Sequence, residues 1–294
     1  FDANKEILQH HVDFEYDQSG NLVREQLTGG IERKYSYDIR GKLRKIDGPS
    51  YSCSVPKGGY CPVGLLRQIQ VTDAKGTREK RYEYNALYQL TKETGDQTHD
   101  YTYDSRERRL SKDKDSYAYA ANDSLLVSGE STYTYDARGN PLSKVTGNKK
   151  IEYGYDALDR MIRCFEKGVW KVAYRYDAFN RRVQTTEYTY NGSQWKEEKR
   201  FRYLYQGNDE VGSVDGKGEL LDFRVLRPGR TKRAVIIESN GEAYAPIYDH
   251  NGSMAALINR DKAGTLVESY RYSAFGEEQI FDQNGDQIKD SQVA

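Results

Sequence analysis

The sequence predicts an all-β fold built from tandem β-hairpins. A Tyr-x-Tyr-Asp unit recurs along the chain, turn-forming residues follow each unit at a fixed distance, and helical periodicity is hard to find anywhere. Successive units lie 14 to 21 residues apart where they are adjacent. That period suits two strands and two turns, and it is too short for the helix pairs of TPR or ankyrin repeats.

Each unit begins with a strand that places aromatic rings on one face. Residues two apart on an extended strand share a face, so Tyr35 and Tyr37 form a stripe while Ser36 points to the other side. Tyr and Phe also favour strands. The clear copies are Phe14–Asp17, Tyr35–Asp38, Tyr82–Asn85, Tyr101–Asp104, Tyr133–Asp136, Tyr153–Asp156 and Tyr174–Asp177, and the weaker ones are Tyr117–Ala120, Tyr188–Asn191, Tyr203–Gln206 and Tyr270–Ser273.

A turn follows each strand. Asp at its first position caps the turn through its carboxylate, and three residues later Gly, Asn or Asp tolerates a left-handed backbone. Together they predict a type I turn closed by a left-handed residue and a G1 bulge. Tyr88 and Glu107 occupy the left-handed position of two units and fit less well. The structural repeat residues assigned in this way are Tyr35, Tyr37, Asp38, Gly41, Tyr133, Tyr135, Asp136, Gly139, Tyr153, Tyr155, Asp156, Tyr174, Tyr176 and Asp177.

The repeats divide the chain into two regions. Residues 1–206 form the hairpin array, with an irregular Pro/Gly-containing insertion at 47–81. Residues 207–294 keep turns of the Asp-x-x-Gly type, as at Asp249–Gly252, but lose most of the tyrosine pairs. Hairpin therefore follows hairpin almost throughout.

The composition is polar, but it is not that of a disordered chain. Hydrophobic residues make up 36% and mean hydropathy is −0.93, yet there are 26 tyrosines, whose large apolar rings with polar tips suit thin, partly wet sheets. We therefore expect a folded chain without a thick apolar core. Basic and acidic residues number 45 each, which leaves no global basic field for nucleic acid. The apolar runs are too short to span a bilayer.

The acidic residues and cysteines have candidate chemical roles. The repeated Asp residues could supply the paired carboxylates of a glycosidase, but their identical positions favour turn capping, because catalysis needs a pair in different environments. The stretch 282–290 resembles a calcium loop, yet Gln287 and Val293 stand where Gly and Glu are needed. We predict no catalytic residue, metal or cofactor. Cys53 and Cys61 are candidates for a disulfide, with two free thiols as the equal alternative.

The segments YSYDIRGKL, YTYDARGNPL, YGYDALDRMI and YRYDAFNRRV, followed by YDHNGSMAAL and YSAFGE, resemble the YD repeats of the Rhs family. That family is related to the C component of Tc toxins and to the YD shell of teneurins. The resemblance covers nearly the whole chain. It implies a long β-sheet that curves or spirals into a hollow shell, with tyrosines packed sideways into ladders. Residues 207–294 resemble the last part of such a shell.

The resemblance implies a non-enzymatic function, in which the shell encloses a C-terminal toxin segment and helps to deliver it. The expected partners are the remainder of the same Rhs-type polypeptide and the toxin segment, with glycans as a further candidate and without nucleic acid or a membrane span. The expected location is secreted or at the cell surface. The alternative is an adhesion or carbohydrate-binding module that uses exposed tyrosines.

Self-cleavage is expected to lie outside this sequence. Toxin-type Rhs shells end in a motif that contains Asp-Pro and is linked to release of the cargo. None of the six prolines follows an Asp, so we assign no protease residues. We expect the chain to be a piece of a longer polypeptide, ending before that motif.

Overall fold

The computed structural model describes residues 11–229, 232–262 and 264–293, and every regular element in these ranges is a β-strand. The chain forms two compact units. Unit 1 comprises residues 1–98 and 224–294, and unit 2 comprises residues 99–223. In the ranges described, no helix is long and apolar enough to cross a membrane.

The strands follow one another at short intervals in both units. In chain order they are β1 Val12–Tyr16, β2 Leu22–Leu27, β3 Ile31–Tyr37, β4 Leu43–Gly48, β5 Tyr51–Ser54, β6 Gln68–Asp73, β7 Gly76–Tyr84 and β8 Leu90–Thr94 in unit 1. Unit 2 holds β9 His99–Tyr103, β10 Arg109–Lys112, β11 Asp115–Tyr119, β12 Leu125–Ser128, β13 Ser131–Tyr135, β14 Pro141–Thr146, β15 Lys149–Tyr155, β16 Met161–Glu166, β17 Trp170–Tyr176, β18 Arg182–Tyr190, β19 Trp195–Gln206, β20 Asp209–Val214 and most of β21 Leu220–Leu226. Unit 1 continues with β22 Ala234–Ser239, β23 Glu242–Tyr248, β24 Met254–Asn259, β25 Thr265–Tyr272, β26 Glu278–Asp282 and β27 Gln287–Ile288.

Each strand pairs antiparallel with the next strand in the chain within three runs. These runs are β1–β8, β9–β21 and β22–β27. Apart from the longer connection between β5 and β6, short turns enforce this order, because a connection of a few residues can join only antiparallel neighbours. The predicted all-β fold of tandem hairpins is confirmed.

The repeat turns end their strands with a bulge. The pairing register shifts between Ser36 and Tyr37 and again between Thr134 and Tyr135. The left-handed residues that close these two turns are Gly41, with a φ of 73°, and Gly139, with a φ of 88°. This is the turn geometry that the spacing predicts, and it also strengthens the local twist of the hairpin.

The range 47–81, which looks irregular in sequence, contains a hidden repeat between β5 and β6. Cys61 stands where other turns have Asp, and its Sγ accepts a hydrogen bond from the Leu65 N–H at 3.3 Å. The Tyr60 hydroxyl donates to the Leu43 carbonyl at 2.9 Å, as the second tyrosine of a repeat does. This range therefore differs from the other repeats in its residue types, while its backbone forms the same kind of turn. Cysteine replaces the capping Asp, and no first tyrosine precedes Tyr60.

Unit 1 has an apolar core between its two runs of strands. Side chains of β2–β6 and of β22–β25 belong to one buried cluster that includes Leu27, Ile31, Ile46, Ile69, Val71, Ile236, Ala245, Ile247, Ala256 and Ile258. A second cluster packs Tyr244, Leu257, Tyr270 and Val293 together. The β22–β25 segment is therefore buried on both faces, which its consecutive apolar residues require.

Unit 2 is built differently. Neither apolar cluster contains a residue between 99 and 223, and its buried positions are largely small and polar, such as Ser131, Ser143, Thr185 and Thr186. The expectation of a chain without a thick core is thus right for unit 2 and wrong for unit 1. The two units also cut across the sequence boundary at 206/207, which marks where tyrosine pairs become rare and not where a compact unit ends.

Buried charges join the two runs of strands in unit 1. Arg271 on β25 contacts both Asp73 on β6 and Asp96, with N···O distances of 2.9 Å to each. Arg78 on β7 also pairs with both carboxylates, at 2.7 and 2.6 Å. These groups are less than one-fifth exposed, so removing either arginine would leave buried carboxylates with fewer cations beside them.

Candidate functional site

The structural repeat residues predicted from the sequence lie at and beside the repeat turns. At the first position, the Asp38 carboxylate accepts hydrogen bonds from the N–H groups of Arg40 at 2.9 Å and Lys42 at 3.0 Å. The same two bonds are made by Asp136, Asp156 and Asp177. The carboxylates thus accept hydrogen bonds from backbone N–H groups that the bulge leaves without a partner on the neighbouring strand.

The second tyrosine of the repeat reaches back to the preceding hairpin. The Tyr135 hydroxyl donates to the Leu125 carbonyl at 2.7 Å, and Tyr176 donates to the Met161 carbonyl at 2.9 Å. In each case the acceptor is the first residue of a return strand. The same bond is made by Tyr37, Tyr84, Tyr119, Tyr205, Tyr248 and Tyr272. Sequence reasoning missed this role, because the stripe pattern shows which face a ring occupies but not what its hydroxyl reaches.

A third contact links several turns of unit 2 to the next turn. The residue directly after the left-handed position does this: Asn140 Nδ2 donates to Asp159 at 2.8 Å, and Arg160 Nη1 donates to the Asn180 side chain at 3.1 Å. Arg108 makes an ion pair of the same kind with Asp123 at 2.7 Å. The signal was present in the sequence as a repeated Arg or Asn at this position.

Several of the first tyrosines of the repeats lie against cations. The Arg182 guanidinium lies 5.7 Å from the ring centre of Tyr174 and 4.7 Å from that of Tyr203, and Lys144 lies 5.9 Å from that of Tyr133. Such contacts contribute about 0.5–1 kcal/mol each at exposed sites. Cations therefore supply lateral packing that the sequence analysis assigned to ring ladders.

Two turns form in spite of an unsuitable residue at the left-handed position. Tyr88 and Glu107 have φ values of 65° and 66°, a conformation that costs an L-residue about 1–2 kcal/mol. We expect Tyr88→Gly and Glu107→Gly each to raise the free energy of unfolding by about 0.5–1 kcal/mol, measured by urea denaturation. Asp159→Gly is the control, since Asp159 also has a positive φ but accepts from Asn140. A gain at Asp159 equal to that at Tyr88 would contradict this account.

The capping carboxylates are stronger acids in the folded chain. Hydrogen bonds lower the pKa of Asp136, chiefly from the Asn140 side chain, and the pKa of Asp38, chiefly from the Lys42 N–H. At Asp156 burial acts to raise the pKa, but hydrogen bonds from Arg160 lower it overall. A depressed folded pKa adds stability above the unfolded value of 3.8, and that stability is lost as the pH falls through the folded value.

We therefore expect the melting temperature to be nearly constant from about pH 7 to pH 5 and to fall progressively below about pH 4. Thermal melts followed by circular dichroism would measure this. A variant with Asn in place of Asp38, Asp136, Asp156 and Asp177 keeps acceptors, as Asn85 does naturally, and should show a shallower acid loss. An unchanged acid slope in that variant would rule out the capping carboxylates as the source.

Of the two candidate cysteines, Cys61 caps a repeat turn through its Sγ. Cys53 and Cys61 are both buried with free thiols, and burial raises the pKa of Cys53 to about 11. Burial also acts to raise the pKa of Cys61, but backbone hydrogen bonds, led by that from Leu65, lower it overall. Their pairing on oxidation stays a prediction.

Unit 1 contains a cavity of about 450 Å³ beside two repeat tyrosines. Tyr35, Tyr37, Tyr248, Arg227, Arg233 and His250 are among the residues that line it. Burial lowers the pKa of His250, so its imidazole is neutral at neutral pH. The described lining contains no Ser or Cys, and so His250 has no nucleophile there to activate.

The repeat carboxylates do not form the pair that glycoside hydrolysis needs. Each is occupied by its own turn, as at Asp136 and Asp177. In the calcium-like stretch, the Asp282 carboxylate accepts from the N–H groups of Asn284 and Asp286 at 2.9 Å each, so it caps a turn. Among the residues described, no group of three His, Cys, Asp or Glu side chains is placed to hold a metal ion.

Comparison with known proteins gives one family and several similar folds. The model of the family described as Teneurin YD-shell matches residues 60–287. Among curated proteins, the chain is 26% identical over 258 residues to the tRNA3(Ser)-specific nuclease WapA of Bacillus spizizenii. That match covers 83% of this chain and 10% of WapA, so the chain spans about a tenth of the length of that relative.

Several solved structures share the fold. The crystal structure of TcdB2-TccC3-Cdc42 matches with a TM-score of 0.72 and 15% identity, over 93% of this chain and 16% of that one. The crystal structure of TcdB2-TccC3-TEV matches with a TM-score of 0.59 and 14% identity, over 96% and 17% of the two chains. The Photorhabdus luminescens Tc holotoxin pore matches with a TM-score of 0.54 and 14% identity, over 92% and 17%.

Proposed function

Because the chain belongs to the Teneurin YD-shell family, we propose that it forms part of the wall of a hollow protein shell that encloses a toxin segment. One observation carries this proposal. Most second tyrosines of the repeats bond to the hairpin before them through their hydroxyl, as Tyr176 does to Met161, and several turns of unit 2 also bond to the turn after them, as from Arg160 to Asn180. A sheet joined in this way extends hairpin by hairpin without needing a core under each strand.

The thin construction of unit 2 supports a wall and not a globule. Its strands form a single run of hairpins with small polar residues at the buried positions. Large half-exposed rings cover the sheet without a second layer. A wall of this kind can face solvent on one side and a cargo on the other.

The similar proteins support an enclosed cargo for this protein, but they do not identify the cargo. The solved structures that share the fold are Tc toxin assemblies, and this chain covers about a sixth of the matched chain in each. WapA is a nuclease of which it covers 10%. The nuclease activity is that of WapA, and we assign to this chain a non-catalytic role in the wall of the shell. We place the assembled shell outside the cytoplasm, secreted or at the cell surface. Binding to glycans stays a prediction.

Protease protection in the full product of the gene tests the proposal. We expect a segment outside the repeats to survive protease while the shell is intact. Replacing the hydroxyls that join hairpins, with Tyr135→Phe, Tyr176→Phe and Tyr205→Phe together, should expose that segment at lower protease concentration. The matched control is Tyr133→Phe with Tyr153→Phe, which removes first-tyrosine hydroxyls.

Two outcomes would overturn parts of the proposal. A gene product with no protected segment would exclude encapsulation. Equal exposure in the two sets of Phe variants would exclude the second-tyrosine hydroxyls as the bonds that close the wall.

A further inference from the structure

Two aromatic rings contact an ammonium group near the hairpin that joins β18 and β19 in unit 2, and a third ring packs against one of them. Lys171 Nζ lies 4.1 Å from the ring centre of Tyr188 and 5.1 Å from that of Trp195. The ring of Tyr190 lies 5.2 Å from Trp195 at an interplanar angle of 59°. We call Tyr188, Tyr190 and Trp195 the aromatic cage.

The strand pairing holds the aromatic cage together. Lys171 is the cross-strand partner of Tyr188, and Tyr190 is that of Trp195. Cross-strand partners share a face of the sheet, so the three rings and the lysine lie on one side. Trp170 is the neighbour of Lys171 in sequence and faces the other side, where its indole N–H donates to the Glu166 carboxylate at 3.2 Å.

The ammonium of the partly exposed Lys171 contacts aromatic rings and not a carboxylate. Within the described part of the chain, no carboxylate lies within ion-pair distance of Lys171. Glu197, the partner of Tyr188 across the next pair of strands, is engaged by Arg200 at 2.8 Å. By contrast, Arg181 contacts two rings but also pairs with Asp177 at 2.7 Å. The cage therefore stabilises a cation without a counter-ion.

We propose that the aromatic cage is a binding site for a small organic ammonium group of the trimethylammonium class, and that Lys171 occupies it when no ligand is bound. A trimethylammonium group is more weakly hydrated than the lysine ammonium and makes the same contact with ring faces, which is why such groups are recognised by aromatic cages. The site does not depend on whether the sheet closes into a shell.

The ligand has a route into the cage. All three rings are partly exposed, and the turn from Asn191 to Gln194 beside them is exposed. Lys171 is the second residue of β17, next to Val169, which is half exposed. Its four-carbon side chain can rotate into solvent there without moving the strand.

NMR titration of the two indole N–H resonances tests the site in the intact chain. Trp170 and Trp195 are its only tryptophans, and they lie on opposite faces, so Trp170 is an internal control. With tetramethylammonium or choline we expect the Trp195 signal to shift and the Trp170 signal to stay. The uncharged analogue 3,3-dimethylbutan-1-ol has the same shape and should bind at least about tenfold more weakly.

Variants separate occupancy by Lys171 from the ring contacts. Lys171→Ala opens the cage and should tighten tetramethylammonium binding by about tenfold, whereas Lys171→Arg keeps a cation in place and should not. Tyr188→Leu removes the closest ring and should abolish binding, with an unchanged Trp170 signal showing that the sheet is intact. Absence of a Trp195 shift in Lys171→Ala would overturn the proposal, as would equal binding of the uncharged analogue.

Vesicles distinguish the source of the ammonium group. Binding of Lys171→Ala to phosphatidylcholine vesicles, competed by choline, would assign the cage to a lipid headgroup. Binding of free choline without vesicle binding would assign it to soluble ammonium compounds. Both outcomes support the site, and failure of both free choline and vesicles to bind contradicts it.

Discussion

Replacing Glu25 by Ala lowers the free energy of unfolding of this chain by about 3–5 kcal/mol. Glu25 is 2% exposed, and its carboxylate holds the fully buried Arg33 at 3.1 Å and Arg227 at 3.3 Å. It also accepts from the Tyr35 hydroxyl at 2.7 Å. Without the carboxylate, the Arg33 guanidinium remains buried with no anion beside it, and an uncompensated buried charge is strongly destabilising.

Chemical denaturation with hydrogen exchange read by peptide would measure this loss and locate it. Exchange should accelerate in peptides of unit 1, because Glu25 and Arg33 lie on β2 and β3 and Arg33 also donates to the Val235 carbonyl on β22 at 3.3 Å. Glu32→Ala is the control, as Glu32 pairs with Arg24 on the solvent side of the same strands and should change stability little. Equal losses for the two variants would show that burial of the pair is not the cause.

Replacing Ile247 by Ala removes about 3–4 kcal/mol from the same free energy. Ile247 is fully buried in the core shared by β2–β6 and β22–β25. It packs so closely on Gly48 that a Cβ at that glycine would lie 3.4 Å from its Cδ1. Neighbours fixed on two runs of strands cannot collapse into the space, so a cavity remains and its cost adds to the lost transfer free energy.

Urea denaturation of Ile247→Ala, beside Ile162→Ala, would test this assignment of stability. Ile162 lies in unit 2 and is 37% exposed, so its truncation should cost about 1 kcal/mol or less. A loss at Ile162 as large as at Ile247 would mean that unit 2 has an apolar core as well. We expect this contrast because buried apolar side chains stabilise unit 1, whereas hydrogen bonds repeated at many hairpins stabilise unit 2.

The local pattern of the sequence predicted the strands and the turns because both depend on near neighbours. The Tyr35 and Tyr37 stripe and the cap at Asp38 involve residues within one hairpin, and the structure places them there. Tyr88 also shows the effect of near neighbours on local structure. The turn forms around it with a φ of 65°, since the flanking strands impose a conformation that the residue itself disfavours.

Other features could not be read from neighbours in the chain. The hidden repeat at Cys61 needed the backbone, because a thiol takes the place of the usual carboxylate. The hydroxyl bond from Tyr176 to Met161 joins residues 15 apart, which a stripe pattern does not specify. The aromatic cage and the lysine that occupies it bring together Lys171, Tyr188 and Trp195 from three strands, and these residues look like ordinary strand residues in sequence.

The sequence by itself determined that this protein is a series of antiparallel hairpins with capped turns. The alternation of side chains along a strand and the residue preferences of a turn act over a few residues. Both patterns recur in each copy of the repeat. Only the tertiary structure decided that β22–β25 pack on β2–β6, where Arg33 meets Val235 across 202 positions. The physical reason is that burial depends on which surfaces meet. An apolar segment such as Met254–Asn259 requires other strands to cover it, but its own residues do not determine which strands these are.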